Sequence, residues 1–348
     1  MTVGLSVQLQ SDVSTIAEGV NVIWVLTVSF LIFFMQPGFA LLEAGQVRAK
    51  NVANVFMKNI ADWSVGVLFY FLVGLAVAGT AAALTAPGPV TGAVFAYLTT
   101  PESWIAWLFG AVFAMTAATI TSGAVAGRIT FAAYVLYAVA VTTVIYPTVQ
   151  GVVWGGGLLS GDGYLGLLLD VSYLDFAGGT VVHMVGGIAG LVGAWMLGPR
   201  QDRFDEDGNS RAIPGHSVLL AMLGTFVLAF GWYGFNVGTQ ATVLSQEGTL
   251  MERELARVAL NTTLEMGAGA IASGIVTTVA RGRPDPLFTA NGLLAGLVGV
   301  TSAAGYVTWW GGLVIGAVGG ALVYPTYQFV LEDLKIDDVA AVFSVHGA

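Results

Sequence analysis

The stretch from Leu174 to Leu197, LDFAGGTVVHMVGGIAGLVGAWML, decides the fold. It is built almost wholly from small and aliphatic residues, yet it carries His183, eight positions after Asp175. At 1.5 Å per residue, a helix of this length crosses the roughly 30 Å hydrocarbon core of a bilayer. The same spacing returns at the other end of the chain, where Asp338 stands eight residues before His346 in DVAAVFSVH. Composition agrees with a membrane setting. Of 348 residues, 56% are hydrophobic and only 9% charged, with mean hydropathy +0.80. A soluble domain carries about 25% charged residues, so this chain is an integral membrane protein.

Working outward, apolar stretches long enough to span fall near 20–45, 63–85, 104–126, 129–149, 176–197, 217–239, 257–280, 287–305 and 307–330. A tenth opens at Val339 and reaches Ala348. Lys and Arg mark the cytoplasmic side, and they alternate between successive loops. Arg48, Lys50 and Lys58 follow the first span, Arg128 the third, and Arg200, Arg203 and Arg211 the fifth. Arg281 and Arg283 follow the seventh and Lys335 the ninth, which leaves only Arg253 and Arg257 on the opposite face. This places the N-terminus outside a plasma membrane. The first residues lack the basic start and short apolar core of a signal peptide, so Met1 reads as the true start. The net charge of −9 excludes a nucleic-acid footprint and fits a salt-rich environment. The absence of cysteine excludes disulfides and thiolate chemistry.

The two Asp–His pairs open helices five and ten from opposite sides, the signature of an inverted repeat with its site near the bilayer midplane. The expected fold is therefore an all-α polytopic membrane bundle with a 5+5 inverted repeat. Residues 1–348 form one membrane domain: an extracellular segment 1–19, a first five-helix repeat 20–197, and a second repeat 217–348 that stops within helix ten.

A lone histidine on an apolar face of a soluble protein is usually a satisfied core residue. Inside a membrane ionisable groups are costly and mark pathways, and two of the three histidines lie at symmetric depths. The third, His216, is interfacial. Metal binding fits poorly, because there is no cysteine and neither histidine has a second ligand three or four residues away. Proton handling, or hydrogen bonding to a small polar substrate, fits better, since neutral imidazole both donates and accepts. Phe113, Phe235 and Trp154 fall near the outer helix ends, where aromatic faces can attract a cation by about 0.5–2 kcal/mol each; aromatic belts occupy the same depth for other reasons. The 47 glycines mainly allow close helix packing and form no phosphate loop. Glu43 and Glu265, in apolar surroundings, read as structural acids rather than proton carriers.

Seven segments taken together, QPGFALLEAGQVRAKN, FAMTAATITSGAVAGR, VVWGGGLLS, DFAGGTVVHMVGG, GWYGFNVGT, NGLLAGLVGVTSAAGYV and DDVAAVFSVHG, resemble the ammonium transporter (Amt/Mep/Rh) family, and its Amt branch more than the Rhesus one. They run in order from about residue 20 to 348. The resemblance implies an eleven-helix protomer in a homotrimer, with one narrow pore per subunit. It implies that His183 and His346 line the pore as a pair and that Phe113 and Phe235 gate it. Trp154, Phe113 and Thr239 would form the outer cation site, Trp232 would line the pore, and Asp175 would hold the recruitment site together. Thr239 departs from the family's usual serine, and its extra methyl narrows the mouth. Family members also continue beyond the second histidine through the rest of helix ten, helix eleven and a cytoplasmic tail.

The implied function is ammonium transport without a cofactor. Leaving water costs an uncompensated ion tens of kcal/mol in the idealised limit, and a few cation–π contacts supply about a tenth of that. Losing a proton removes most of the penalty, and two imidazoles can then hydrogen-bond neutral ammonia or relay the proton. Potassium has no proton to lose. The rival reading is a non-conducting ammonium sensor on the same scaffold, and a passive gas or water channel is a third. No nucleophile–base or carboxylate pair suggests an enzyme. Expected partners are ammonium or ammonia, membrane lipid, further copies of the chain and a PII-type cytoplasmic regulator.

Overall fold

The computed structural model describes residues 2–90 and 92–348; Met1, read above as the true start, lies outside them. Among the described residues, eight helices are long and apolar enough to cross a membrane. They are α1 (Asp12–Gln46), α2 (Ala49–Leu84), α3 (Pro101–Val125), α4 (Phe131–Val153), α5 (Gly179–Leu197), α6 (Val218–Thr239), α7 (Glu252–Arg281) and α9 (Trp309–Asp333). Between the last two lies the shorter apolar α8 (Pro286–Thr301), and a five-residue helix, α10 (Val342–His346), follows. All nine expected spans and the start of the tenth are thus present as helices. The first helix reaches back to Thr2, so the segment expected to precede the first span is itself helical. Helix α1 breaks at Phe34, three residues before Pro37, whose missing N–H cannot continue the backbone ladder.

Helix α2 begins well before the expected residue 63. Lys58, Asn59 and Asp62 interrupt the apolar run and look like loop residues in sequence, but all three are buried. Lys58 lies 3.7 Å from Glu43 Oε2 and donates to the Ser122 carbonyl at 3.0 Å. Asp62 accepts from Gln36 Nε2 at 2.9 Å and Tyr134 Oη at 2.6 Å. Lys58 is therefore a partnered interior cation, not part of the basic loop that marked one face. Glu265 behaves differently. It is buried against Gly312 and Gly316 of α9, and neither carboxylate oxygen has a hydrogen-bond partner.

Helix α3 is the central post, with every residue from Ala111 to Val125 buried. Helices α2, α5 and α1 pack around it, and α7, α8 and α9 form a tight triplet beside α6. The chain leaving α5 is tied to the chain entering α10 by an arginine cluster outside the spanning segments. Arg200 Nε and Nη2 donate to Asp337 at 2.7 and 2.9 Å, and Arg203 Nε lies 3.1 Å from the same carboxylate. Arg128, just past α3, donates to the Asp337 carbonyl at 2.8 Å and to the Gly198 carbonyl at 2.7 Å.

Burial raises the Asp337 carboxyl, but the hydrogen bonds and charge of Arg200 outweigh it and hold the group below its ordinary value. A depressed carboxyl stabilises the fold above its unfolded value of about 4 and loses that contribution as pH falls through the lower folded value. Asp337→Asn strands buried arginines, and we expect it to lower stability by on the order of 3 kcal/mol at neutral pH. Thermal unfolding in detergent measures this. The gap from wild type should persist at about pH 5 and close only below about pH 4; a gap that closes already at neutral pH contradicts the assignment.

Candidate functional site

Both Asp–His segments build the same local structure. The Asp175 carboxylate accepts the N–H groups of Gly178, Thr180 and Val181 at 2.9, 3.0 and 2.8 Å. Asp338 accepts those of Val342 and Phe343 at 2.9 and 2.7 Å. A helix starting inside a protein leaves its first N–H groups unpaired, and an aspartate just upstream satisfies them and opposes the positive end of the helix dipole. The residue three after each aspartate is left-handed: Gly178 at φ +98° and Ala341 at φ +57°. Glycine takes this conformation freely, whereas alanine does so at a cost of roughly 1–2 kcal/mol. The first turn of α5, Gly179–Met184, is a π-helical turn that carries His183, a feature common at functional positions.

The two helices bring the histidines together. Their rings are nearly parallel, 13° apart with centroids 5.3 Å apart, and the Nδ1 atoms are separated by 3.2 Å. Gly187 makes this approach possible, because a Cβ there would lie 2.6 Å from the Gly347 nitrogen. Trp232 stacks on His183 at 4.8 Å and 11°, held by its own N–H bond to Thr301 Oγ1 at 3.0 Å. The Nδ1–Nδ1 contact dictates the protonation pattern. One Nδ1 must carry the shared hydrogen and the other must accept it, so a neutral pair presents one bare Nε2 and one Nε2–H. His183 is fully buried, and its Nε2 has no hydrogen-bond partner among the described residues.

On one side of the pair lie the aromatic residues. The Phe113 and Phe235 rings are 4.3 Å apart and both buried, with Phe235 5.2 Å from His183. Beyond them opens a vestibule of about 280 Å3 lined by Phe113, Trp154 and Thr239 together with Phe109, Tyr146 and Gln150. Trp154 meets Phe113 edge-on at 5.9 Å and donates to the Asp175 carbonyl at 2.7 Å. Asp175 thus positions both the histidine helix and the vestibule tryptophan. The Thr239 hydroxyl donates to the Phe235 carbonyl at 2.8 Å.

On the opposite side, His346 borders a cavity of about 20 Å3 shared with Glu43, Thr119 and Asn291. Asn291 also lines a second vestibule of about 540 Å3, at the arginine-rich face beside Arg200 and Arg203. Vestibule, phenylalanine pair, histidine pair, small cavity and second vestibule therefore follow one another through the bundle. Trp154, Phe113, Thr239, Phe235, Trp232, His183, His346 and Asp175 all lie on or beside this path. Among the described residues no three His, Cys, Asp or Glu side chains converge as a metal site would require.

Four contributors escaped the sequence reading. Ser302 donates to Asp175 Oδ1 at 2.8 Å, and Thr301 anchors Trp232. Both sit inside NGLLAGLVGVTSAAGYV, where nothing local marks them as partners of residues about 70 and 127 positions away. Tyr146 and Gln150 were findable, because 146, 150 and 154 fall one helical turn apart on a single face.

The Ammonium Transporter Family profile matches residues 23–348. Ammonium transporter Amt1 of Haloferax mediterranei is 64% identical over 346 residues, covering 98% of this chain and 67% of that protein. A solved structure described as "Sensor Amt Protein" aligns with TM-score 0.84 at 33% identity, over 96% of this chain and 80% of that one. Candida albicans Mep2 aligns with TM-score 0.77 at 26% identity, over 94% of this chain and 70% of that one. With a family match across nearly the whole chain and the fold shared with solved members, the chain belongs to the ammonium transporter family, a family of multi-span membrane transporters.

Proposed function

We propose that this chain recruits ammonium in the Trp154–Phe113–Thr239 vestibule, removes a proton at the His183–His346 pair, and passes ammonia on toward the arginine-rich face. The observation that carries this reading is the unpartnered Nε2 of fully buried His183 between two vestibules. A buried imidazole nitrogen with no protein partner suits a ligand that donates or accepts a hydrogen bond. Ammonium offers an N–H to a bare Nε2. The ammonia left behind is neutral and crosses the dry segment without the cost of an ion.

Each part follows from its chemistry. The Trp154 and Phe113 faces supply cation–π attraction where water is still present. The closely packed phenylalanines exclude water, and Trp232 holds the His183 ring. In this reading, supported by the distribution of basic loops, the arginine-rich vestibule faces the cytoplasm and the aromatic vestibule faces outward, in a plasma membrane. A homotrimer and a PII-type regulator at the cytoplasmic face belong to the same reading, as does the division into repeats 20–197 and 217–348. A second reading, an ammonium sensor that binds without conducting, is favoured by the 33% identity to the structure described as a sensor.

Current across liposomes holding the purified protein, after an ammonium pulse and after a potassium pulse, separates these readings. Transport predicts a current for ammonium alone; ammonium binding without current selects the sensor. His183→Ala should abolish the ammonium current, by about a hundredfold or more, or admit potassium. A current unchanged in size and selectivity would sink the role of the pair. Thr239→Ser removes one methyl from the mouth, worth about 0.8 kcal/mol of local apolar contact, and should lower the half-saturating ammonium concentration by up to roughly fourfold. Its maximal current should stay at the wild-type level; a shift toward weaker apparent affinity contradicts the placement of Thr239.

A further inference from the structure

Glu43 lines the small cavity beside His346, and the mechanism above does not use it. It is buried on α1 and lines the 20 Å3 cavity together with His346. A water needs a cavity of about 10–15 Å3 and two to four polar partners. This cavity has that room, and Glu43, His346, Thr119 and Asn291 border it. One water there would join the His346 ring to the Glu43 carboxylate. Asn291 forms the wall shared with the arginine-rich vestibule, so the cavity also lies next to the way out.

The surroundings of Glu43 suit a group that alternates between charged and neutral. Ser122 Oγ donates to its Oε2 at 2.6 Å, Asn59 Nδ2 to its Oε1 at 3.4 Å, and the Lys58 ammonium stands 3.7 Å from Oε2. Lys58 is held independently, by the Ser122 carbonyl at 3.0 Å and over the Tyr134 ring at 4.9 Å. Asp62, the other acid facing this cluster, is occupied by Gln36 and Tyr134. Protonating Glu43 takes away the counter-charge of Lys58 but leaves that ammonium the Ser122 carbonyl and the Tyr134 ring, while Ser122 and Asn59 keep carboxyl oxygens to donate to.

We infer that Glu43 takes the proton that ammonium gives up at the histidine pair, through one water in the cavity it shares with His346. The inference rests on the transport reading above. Protons balance at each step. Ammonium loses one N–H to the neutral imidazole pair and becomes ammonia. The protonated pair passes that proton from His346 through the water to the Glu43 carboxylate, and the pair is neutral again. The Glu43 O–H then breaks, releasing the proton to the arginine-rich vestibule beside Asn291 and restoring the carboxylate next to Lys58. Ammonia and proton thus part company at the dyad and leave separately.

Two variants in liposomes test this, Glu43→Gln and the double variant Glu43→Gln with Lys58→Gln, which keeps the buried pair neutral. Ammonium-pulse current and neutral-ammonia conduction, the latter read from the internal pH of the vesicles, are measured on each. We expect the current to fall at least about tenfold in both variants, while ammonia conduction stays at the wild-type level. Full current in the folded double variant overturns the inference, because Glu43 would then matter only as the partner of Lys58. Loss of current and ammonia conduction together in the folded double variant also overturns it, in favour of a packing role. A wild-type protein that shows no ammonium current overturns the transport reading itself, and this inference with it.

Discussion

Two carboxylates, each accepting the first free N–H groups of a helix that starts inside the protein, are the constraint on which the rest of this structure depends. Hydrocarbon offers nothing to hydrogen-bond, so an interrupted helix is tolerated in a membrane protein only when its exposed backbone groups find partners. Asp175 and Asp338 provide them. Because each helix begins within the bundle, the histidine on its first turns stands at the centre of the path rather than at a surface. Asp175 also holds Ser302, and its carbonyl holds Trp154, so one residue sets the geometry of the vestibule and of the ring pair.

The rings are fixed from several directions at once. Trp232 stacks on His183, His346 meets it through Nδ1, and Phe235 closes the approach. The Arg200–Arg203–Asp337 cluster fastens the chain leaving one histidine helix to the chain entering the other, and Gly187 lets the two backbones touch. A contact of 3.2 Å between two like nitrogens survives only if a single hydrogen is shared between them. That sharing makes the pair suited to taking up and releasing one proton, and poorly suited to holding a metal or a bare alkali cation.

The buried polar residues divide by their partners. Lys58, Glu43, Asn59 and Ser122 satisfy one another across α1, α2 and α3, and Asp62 beside them accepts from Gln36 and Tyr134. Glu43 of this group lines the small cavity beside His346. Glu265, in the α7–α8–α9 triplet, has no donor facing either oxygen. The same residue type thus plays different parts according to what the neighbouring helices present.

Much of the architecture was legible in the chain itself, because a span needs only a long run of apolar residues and a side needs only its arginines. The Asp–His spacing, met twice, marked both histidines of the buried pair and the aspartates that cap their helices, since those signals are local. Where hydropathy misled, as at the start of α2, polar residues were paired with groups on other helices, and no window along the sequence contains such partners. The partnership of Thr301 with Trp232, of Ser302 with Asp175, and of Glu43 with the cavity beneath His346 likewise joins residues far apart in the chain. Sequence by itself determined a membrane-spanning helical bundle and the residues rare enough in lipid to carry function. Only the tertiary structure decided that the two imidazoles share a hydrogen and which buried acid lines the cavity beside His346, because distances between helices are set by packing and not by order along the chain.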